Sequence, residues 1–482
     1  MMKNIYKILI LALAAIQICA CGNDWLNVEP ENKIETSISI KSLSDAQAAV
    51  VGIYNQLQSY EYYGARMTYY ADVTGDDMQS NGDTKRCASY YRYAFTAENA
   101  PRSLWEQPYK VIRLANNILA AIDKVPVNAN QTATLNDLKG QALFFRALAH
   151  FDITRVYGYP YAKDNGASWG ASIIKEAYGP EVKPKRNTVA ECYNNLIIPD
   201  LIESINLMTG TKSTTTGRIN KWGAKLLLSR VYLYKGDNAN ALREAEECIT
   251  GAQTASYALW TNAGYLTGWT TPFSSETLFE LVNLVTDRTG NEGIGYLCYD
   301  KGYDDIILTR SFWDILNSDV NDARLMLTTK GTKKPTSKSY NVYILKYTND
   351  IDVQNANVII YRLSEAYLNA AEAAVKLTNN DKALTYLNAI VTRANPAKSV
   401  TGTVTLDRVL DERRKEMFGE GHRAFDLLRN NKVITRTGTS HSKVLPDYAV
   451  SIDWTNYRIV LPVPKYEVDA NAGIKAQQNP DW

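Results

Sequence analysis

Between positions 412 and 429 the chain sets Glu412, Arg413, Arg414, Glu416, Glu420, Arg423, Asp426 and Arg429 at short helical steps. Two carboxylates at a fixed separation are all that acid–base cleavage of a glycosidic bond requires, so this run could do chemistry. The same spacing puts opposite charges on one helix face, and a ladder of ion pairs is the simpler reading. Nucleophilic and metal chemistry find less material. His150, His422 and His441 are the only histidines; His150 sits inside an apolar helical pattern and His422 inside the Glu/Arg run. There is no HExxH, GxSxG or P-loop, and no GxGxxG in strand context. No catalytic residue, metal ligand or cofactor is therefore assigned, and the protein is read as a binder and not an enzyme. A hydrolase built on two carboxylates stays open.

Binding chemistry is better supplied. The chain carries 32 Tyr against 9 Phe and 9 Trp. Tyrosine and tryptophan join an apolar ring to a polar handle, which suits a wet ligand face as well as a core. A sugar has an apolar C–H face and a rim of hydroxyls. It takes a ring to stack on, with carboxylate, amide or guanidinium groups beside it. Two stretches combine these: 69–93, with Asp76 and Asp77, and 260–313, with Tyr265, Trp269, Tyr296, Tyr299, Asp300 and Arg310. The expectation is that loops from both meet on one face. Trp269, Tyr296 and Tyr91 would be platforms, and Asp76, Asp77 and Arg310 would supply hydrogen bonds. Any of these rings could instead serve ordinary packing, and a peptide could use the same groups.

The elements that must position these groups are helical. In 358–393, Ile360, Leu363, Tyr367, Ala370, Ala374 and Leu377 recur at one-face helical spacing. Asn379, Asn380 and Asp381 supply a turn and cap, and Leu384, Leu387 and Ile390 resume the pattern. Such a hairpin cannot bury its apolar face alone, so stacked neighbours are expected. Helical patterns at 43–57, 104–125, 135–157, 189–208, 221–235, 239–249, 406–418 and 423–428 supply them. A weak repeat aligns 236–249 with 378–391, as in a degenerate tetratricopeptide array. The fold class is mainly α: helical repeats over 43–250 and 358–430, with an aromatic-rich insertion at 251–357 carrying short strands. Runs at 277–284 and 343–347 are strand-like; 59–101 reads as loops, and 431–482 as an irregular strap.

The N-terminus reads as an export signal over residues 1–20. Lys3 and Lys7 precede an unbroken apolar run from Ile8 to Ile16, well short of the roughly 20 residues that span a bilayer. Ala20-Cys21 closes it like a bacterial lipobox, which would make Cys21 the lipidated residue; ordinary secretion with Cys21 as a chance cysteine is the alternative. Without the signal, Lys and Arg fall from 53 to 51 against 51 acids, so no basic field favours nucleic acid. Cys87, Cys192, Cys248 and Cys298 are widely spaced, and their pairing cannot be read from sequence.

Several short motifs, in order along nearly the whole chain, resemble the SusD/RagB family of outer-membrane nutrient-binding lipoproteins. They are Cys21 followed by Trp25-Leu26-Asn27-Val28-Glu29-Pro30, the run Gln141-Ala142-Leu143-Phe144-Phe145-Arg146-Ala147, and Tyr157-Gly158-Tyr159-Pro160-Tyr161. Arg362, Glu365, Tyr367 and Leu368 follow, with Ala371-Glu372-Ala373, then Glu412-Arg413-Arg414, Glu416, Glu420-Gly421, Arg423, Asp426-Leu427 and Arg429. Leu461-Pro462-Val463-Pro464, Glu467, Asn471 and Gln478-Asn479-Pro480-Asp481-Trp482 close the series. The resemblance implies one domain over 21–482, lipid-anchored in the outer membrane and facing the cell exterior. It also implies a TonB-dependent transporter of the SusC type as partner and a glycan as ligand. Peptide capture by the same architecture, a lipid-anchored glycoside hydrolase and a pure protein-interaction scaffold are the alternatives.

Overall fold

The computed structural model describes residues 40–179, 181–331, 341–348, 353–437, 441 and 445–482. The export signal, Cys21 and the 25–30 motif lie outside the described residues. Helix α1 (Leu43–Gln58) opens on a capping box: Ser42 accepts from the Asp45 amide, and the Asp45 carboxylate accepts from the Ser42 amide. Then come α2 (Arg66–Val73), β1 (Met78–Ser80), α3 (Ser103–Ala121), α4 (Ala129–Tyr157), α5 (Ile198–Leu207), α6 (Lys221–Lys235) and α7 (Asn238–Thr254). A π-helical turn, Tyr193–Ile197, leads into α5 just before Pro199, whose missing N–H cannot continue the regular ladder.

These helices pack in series: α1 on α3, α3 on α4, α4 on α5, α5 on α6, and α6 on α7. Next in the chain are α8 (Tyr265–Thr270), β2 (Thr277–Leu281), β3 (Ile306–Leu308), α9 (Arg310–Asn317), β4 (Thr328–Lys330), β5 (Val342–Ile344) and β6 (Val358–Arg362). After them run α10 (Leu363–Lys376), α11 (Asn380–Ala394), α12 (Leu406–Met417), α13 (Arg423–Arg429) and α14 (Lys465–Ala470). Helix α10 packs directly on α7, and α11 and α12 on α10. The stack is thus continuous across the point where 255–357 loops out of it. Alanines 366, 370, 371, 373 and 374 are buried in α10, which lets its neighbours approach closely.

Three readings need correction. Residues 358–362 form strand β6, not the first turn of the hairpin helix. The run Val-Ile-Ile-Tyr is β-branched and aromatic, and it finds an antiparallel partner in β2, with Leu281 opposite Val358 and Thr277 opposite Arg362. The 59–101 stretch is not loop: it holds α2 and β1, and Tyr62, Tyr63, Tyr69, Tyr70, Tyr90, Tyr91 and Tyr93 are all buried. The strap after 431 also carries α14 and short helical turns.

The Glu/Arg run is structural, but its pairs mostly join different elements. Arg362, 1% exposed, donates to Glu276 (2.9 Å), to both Glu420 oxygens (2.8 Å each) and to Glu416. Arg393 of α11 reaches Glu276 (3.1 Å) and Glu416 (2.6 Å). Arg413 pairs with Asp426 (2.7 Å), and Arg230 with Glu365 (2.5 Å). Burial pushes the Glu416 carboxyl up, but Arg393, Arg362 and Arg324 outweigh it and hold it well below the usual range. Glu412, buried beside Arg324, is held down to about 2. Gly421 is fixed in the left-handed region at φ 80°, and a Cβ there would meet the Thr68 carbonyl at 2.9 Å. Its amide donates to the buried Asp72 carboxylate at 2.6 Å, tying the start of α13 to α2.

Candidate functional site

The two aromatic stretches do meet. Strand β1 pairs antiparallel with β3, with Met78 opposite Leu308 and Ser80 opposite Ile306. The loop after β1 is then laid on the turn before β3. Lys85 donates to the Tyr303 carbonyl (2.7 Å), and the Asn81 amide nitrogen to the Asp305 carbonyl (2.9 Å). Cys87 packs beneath, its thiol 3.4 Å from the same carbonyl. Burial keeps that thiol protonated, raising it to about 12.

On top of this base sits an aromatic pair. The rings of Tyr296 and Tyr303 are 5.0 Å apart at 90°, and both are half-buried. Arg86 lays its guanidinium 3.6 Å from the Tyr303 ring centroid. Glu292 (2.8 Å) and the buried Asp305 (3.2 Å) hold it there. Asn341 donates to Asn81 (3.2 Å), so a third segment joins the rim. Rings, guanidinium, amides and carboxylates thus sit together on a rigid underlayer, the set a sugar needs.

The expected residues divide sharply. Tyr296 lies on this face. Tyr91 is fully buried, its hydroxyl 3.1 Å from Nδ1 of His441 and its ring 5.1 Å from the Arg436 guanidinium. Trp269 is 6% exposed, packed edge-on against Trp260 at 5.3 Å and approached by the Lys346 ammonium at 4.6 Å. Neither ring presents a face to solvent, so a platform role for them is corrected to packing. Asp76 and Asp77 clamp α12 and the start of α13. Asp76 takes Arg423 at 2.6 Å, and Asp77 takes Arg414 at 2.5 Å. Burial pushes Asp77 up; for Asp76 it is outweighed by Arg423 and Arg414, which hold that carboxyl down. Arg310 is exposed at the start of α9, paired with Asp314 at 2.8 Å and 4.8 Å from the Trp313 ring.

Sequence reasoning missed Tyr303, Arg86, Asn81 and Asn341. Tyr303 was within reach, because Tyr296, Tyr299 and Tyr303 recur at short intervals. Arg86 carried no signal beyond its type. Among the described residues no cluster of His, Cys, Asp or Glu could hold a metal ion, and no helix is long and apolar enough to cross a membrane. All four cysteines within the described residues are free and buried.

Comparison with known proteins agrees on the lineage. The SusD family model matches residues 316–482, and a second, described as starch-binding associating with outer membrane, matches residues 24–233. A putative sugar binding protein from Bacteroides vulgatus is similar at 47% identity and TM-score 0.86, over 92% of this chain and 99% of that one. A SusD superfamily protein of the same species gives 38% and 0.85, over 92% and 99%. Surface glycan-binding protein A from Bacteroides thetaiotaomicron, solved with laminarihexaose, shares the fold at 20% identity and TM-score 0.69, over 90% and 99%. With matched models at both ends and such relatives across nearly its full length, the chain belongs to the SusD/RagB family.

Proposed function

We propose that this protein is a lipid-anchored outer-membrane binder that captures glycan at the Tyr296–Tyr303 face and passes it to a TonB-dependent transporter of the SusC type. The observation that carries the reading is the clamped tyrosine pair. Two half-buried rings meet edge-on, and one of them, Tyr303, carries a guanidinium whose position is fixed by two carboxylates, so stacking and hydrogen-bonding groups are already in place before a ligand arrives. The family model described as starch-binding and the relatives with sugar-binding names support the same ligand class. Hydrolysis has less support, because the carboxylates of the Glu/Arg run are committed to buried arginines.

A glycan array probed with the chain beginning at Ser37 tests the ligand class. For a glycan that binds, Tyr303→Ala and Tyr296→Ala should each weaken affinity by ~1–3 kcal/mol, the range for losing one anchoring ring. Unchanged affinity in both variants, with folding intact, removes this face as the site. New reducing ends after incubation with glycan would turn the reading toward a hydrolase.

The anchor and the partner are tested in the cell. Cys21→Ala should move the protein from the membrane to the soluble fraction, since stable attachment needs the acyl chains. Membrane association that survives this substitution sinks the anchor. Mild detergent extraction should recover a barrel-sized transporter with the wild-type protein; recovery of a solitary lipoprotein counts against the hand-off.

A further inference from the structure

The geometry points to a second carbohydrate site, for an uncharged oligosaccharide, in a cleft between the outward face of α3, residues 172–178 with Pro184, and α14. The cleft measures about 770 Å³ and shares no lining residue with the Tyr296–Tyr303 face. That volume falls within the range of small-molecule sites.

Its walls carry rings in graded exposure. Trp105 is buried at the base, with Tyr109 at 5.3 Å. Tyr109 and Tyr466 are half-buried, and Tyr178 is 45% exposed at the mouth. The Arg102 guanidinium sits 4.1 Å from the Tyr466 ring centroid and fixes its position. A ring exposed on an ordinary surface needs no explanation, but three reachable rings around one cavity, over a buried fourth, are a stacking arrangement.

The polar groups argue for sugar over other ligands. Glu106, Lys110, Arg113 and Asn117 follow one another at helical steps along α3 and all line the cleft. Glu106 is paired with Lys110 at 2.9 Å, while Arg113 and Asn117 have no such commitment among the described residues. Glu467 faces them from α14, its carboxyl raised by burial against the opposing pull of the Trp105 and Asn471 side chains beside it. The lining holds three cations (Arg102, Lys110, Arg113) and three acids (Glu106, Glu176, Glu467), so no net field draws a polyanion. An extended peptide would pair with a free backbone edge. Here that edge is spent: the amides of Ser172, Ile173 and Ile174 donate to Tyr109, Asn187 and His150, at 2.9, 3.0 and 3.1 Å. The carbonyls of Ile174 and Lys175 accept from Asn116 (3.1 Å) and Arg146 (3.0 Å). Recognition must then come from side chains, which suits the hydroxyls and C–H faces of a neutral glycan.

Amide hydrogen exchange reads this site directly. The protein is mixed in turn with laminarihexaose, maltohexaose, cellohexaose, anionic hexagalacturonate and a mixed-sequence decapeptide pool. A neutral hexasaccharide should slow exchange in 172–179 and 465–471, in the wild type and equally in Tyr303→Ala. Tyr178→Ala and Arg113→Ala, both at exposed positions where folding is not at stake, should each weaken that binding by about ten-fold. The proposal is overturned if none of the neutral sugars protects these segments, or if only hexagalacturonate or the peptides do. Protection that disappears in Tyr303→Ala would also overturn it, by making the effect secondary to the loop face. Protection here with none at Tyr303 would leave this site standing and remove the other.

Discussion

Arg362→Ala should lower stability by about 3–5 kcal/mol, the cost of stripping a partner from buried charges. The guanidinium is shared by Glu276, Glu416 and Glu420, each almost wholly buried, and removing it leaves three carboxylates with fewer cations than they need. Arg393 still covers Glu276 and Glu416, and Lys346 covers Glu420 at 2.6 Å, so the loss is large without being total. Denaturant unfolding checks the size. A drop under about 1 kcal/mol would show that the network tolerates the gap. The pH dependence gives a second check. Arginine holds Glu416 and Glu420 below their usual range despite burial, so their stabilising contribution is present above the unfolded value, about 4.3. It is lost as pH falls through the folded values. In Arg362→Ala the carboxylates lose that depression, so the gap between variant and wild type should narrow as pH falls from about 5 to about 3. A gap that stays constant across that range would assign the loss to packing alone.

Trp269→Ala is the second large effect, and it falls on the fold and not on the ligand. Truncating a buried tryptophan costs about 3–5 kcal/mol through lost transfer energy and the cavity left behind. Trp269 packs on Trp260 and lies against the cations of Lys346 and Arg362, at 4.6 and 5.3 Å. Its loss opens a cavity beside Lys346, whose ammonium burial already lowers to about 8. The expected result is a markedly lower melting temperature with glycan affinity of the folded fraction unchanged. A fall in affinity with full stability would restore Trp269 as a platform.

The helical stack was legible because period is a one-dimensional property. The 221–235 pattern is helix Lys221–Lys235, and the turn at Asn379 caps α11 by accepting from the Lys382 amide. Strand β6 was hidden because a short apolar run satisfies both periods, and only the partner strand decides. The tyrosines misled for a different reason. Their polar handles signal a wet surface only where no buried partner exists, and here one does. Tyr62 and Tyr63 both donate to the buried Asp152, at 2.6 and 2.8 Å, and Tyr93 donates to the Thr74 carbonyl at 2.7 Å. The Glu/Arg run was read correctly as ion pairs, but most of its partners lie on other elements. Three- and four-residue spacing describes neighbours on one helix, but Arg429 chooses Glu372 of α10 at 2.6 Å besides Asp426. The meeting of the two aromatic stretches was expected from composition. The clamp on Arg86 was not, since it depends on a fold-level pairing of residues 206 positions apart.

Strand β6 ends at Arg362 and helix α10 begins at Leu363, with no residue between them. The arginine that closes the strand is also the N-cap of the helix, and it is gripped by the acids of β2's approach and of α12. A junction of that kind has no joint in it. A pull on the β2–β6 pair therefore reaches α10 through a single residue held by three carboxylates, with no loop between strand and helix to absorb it.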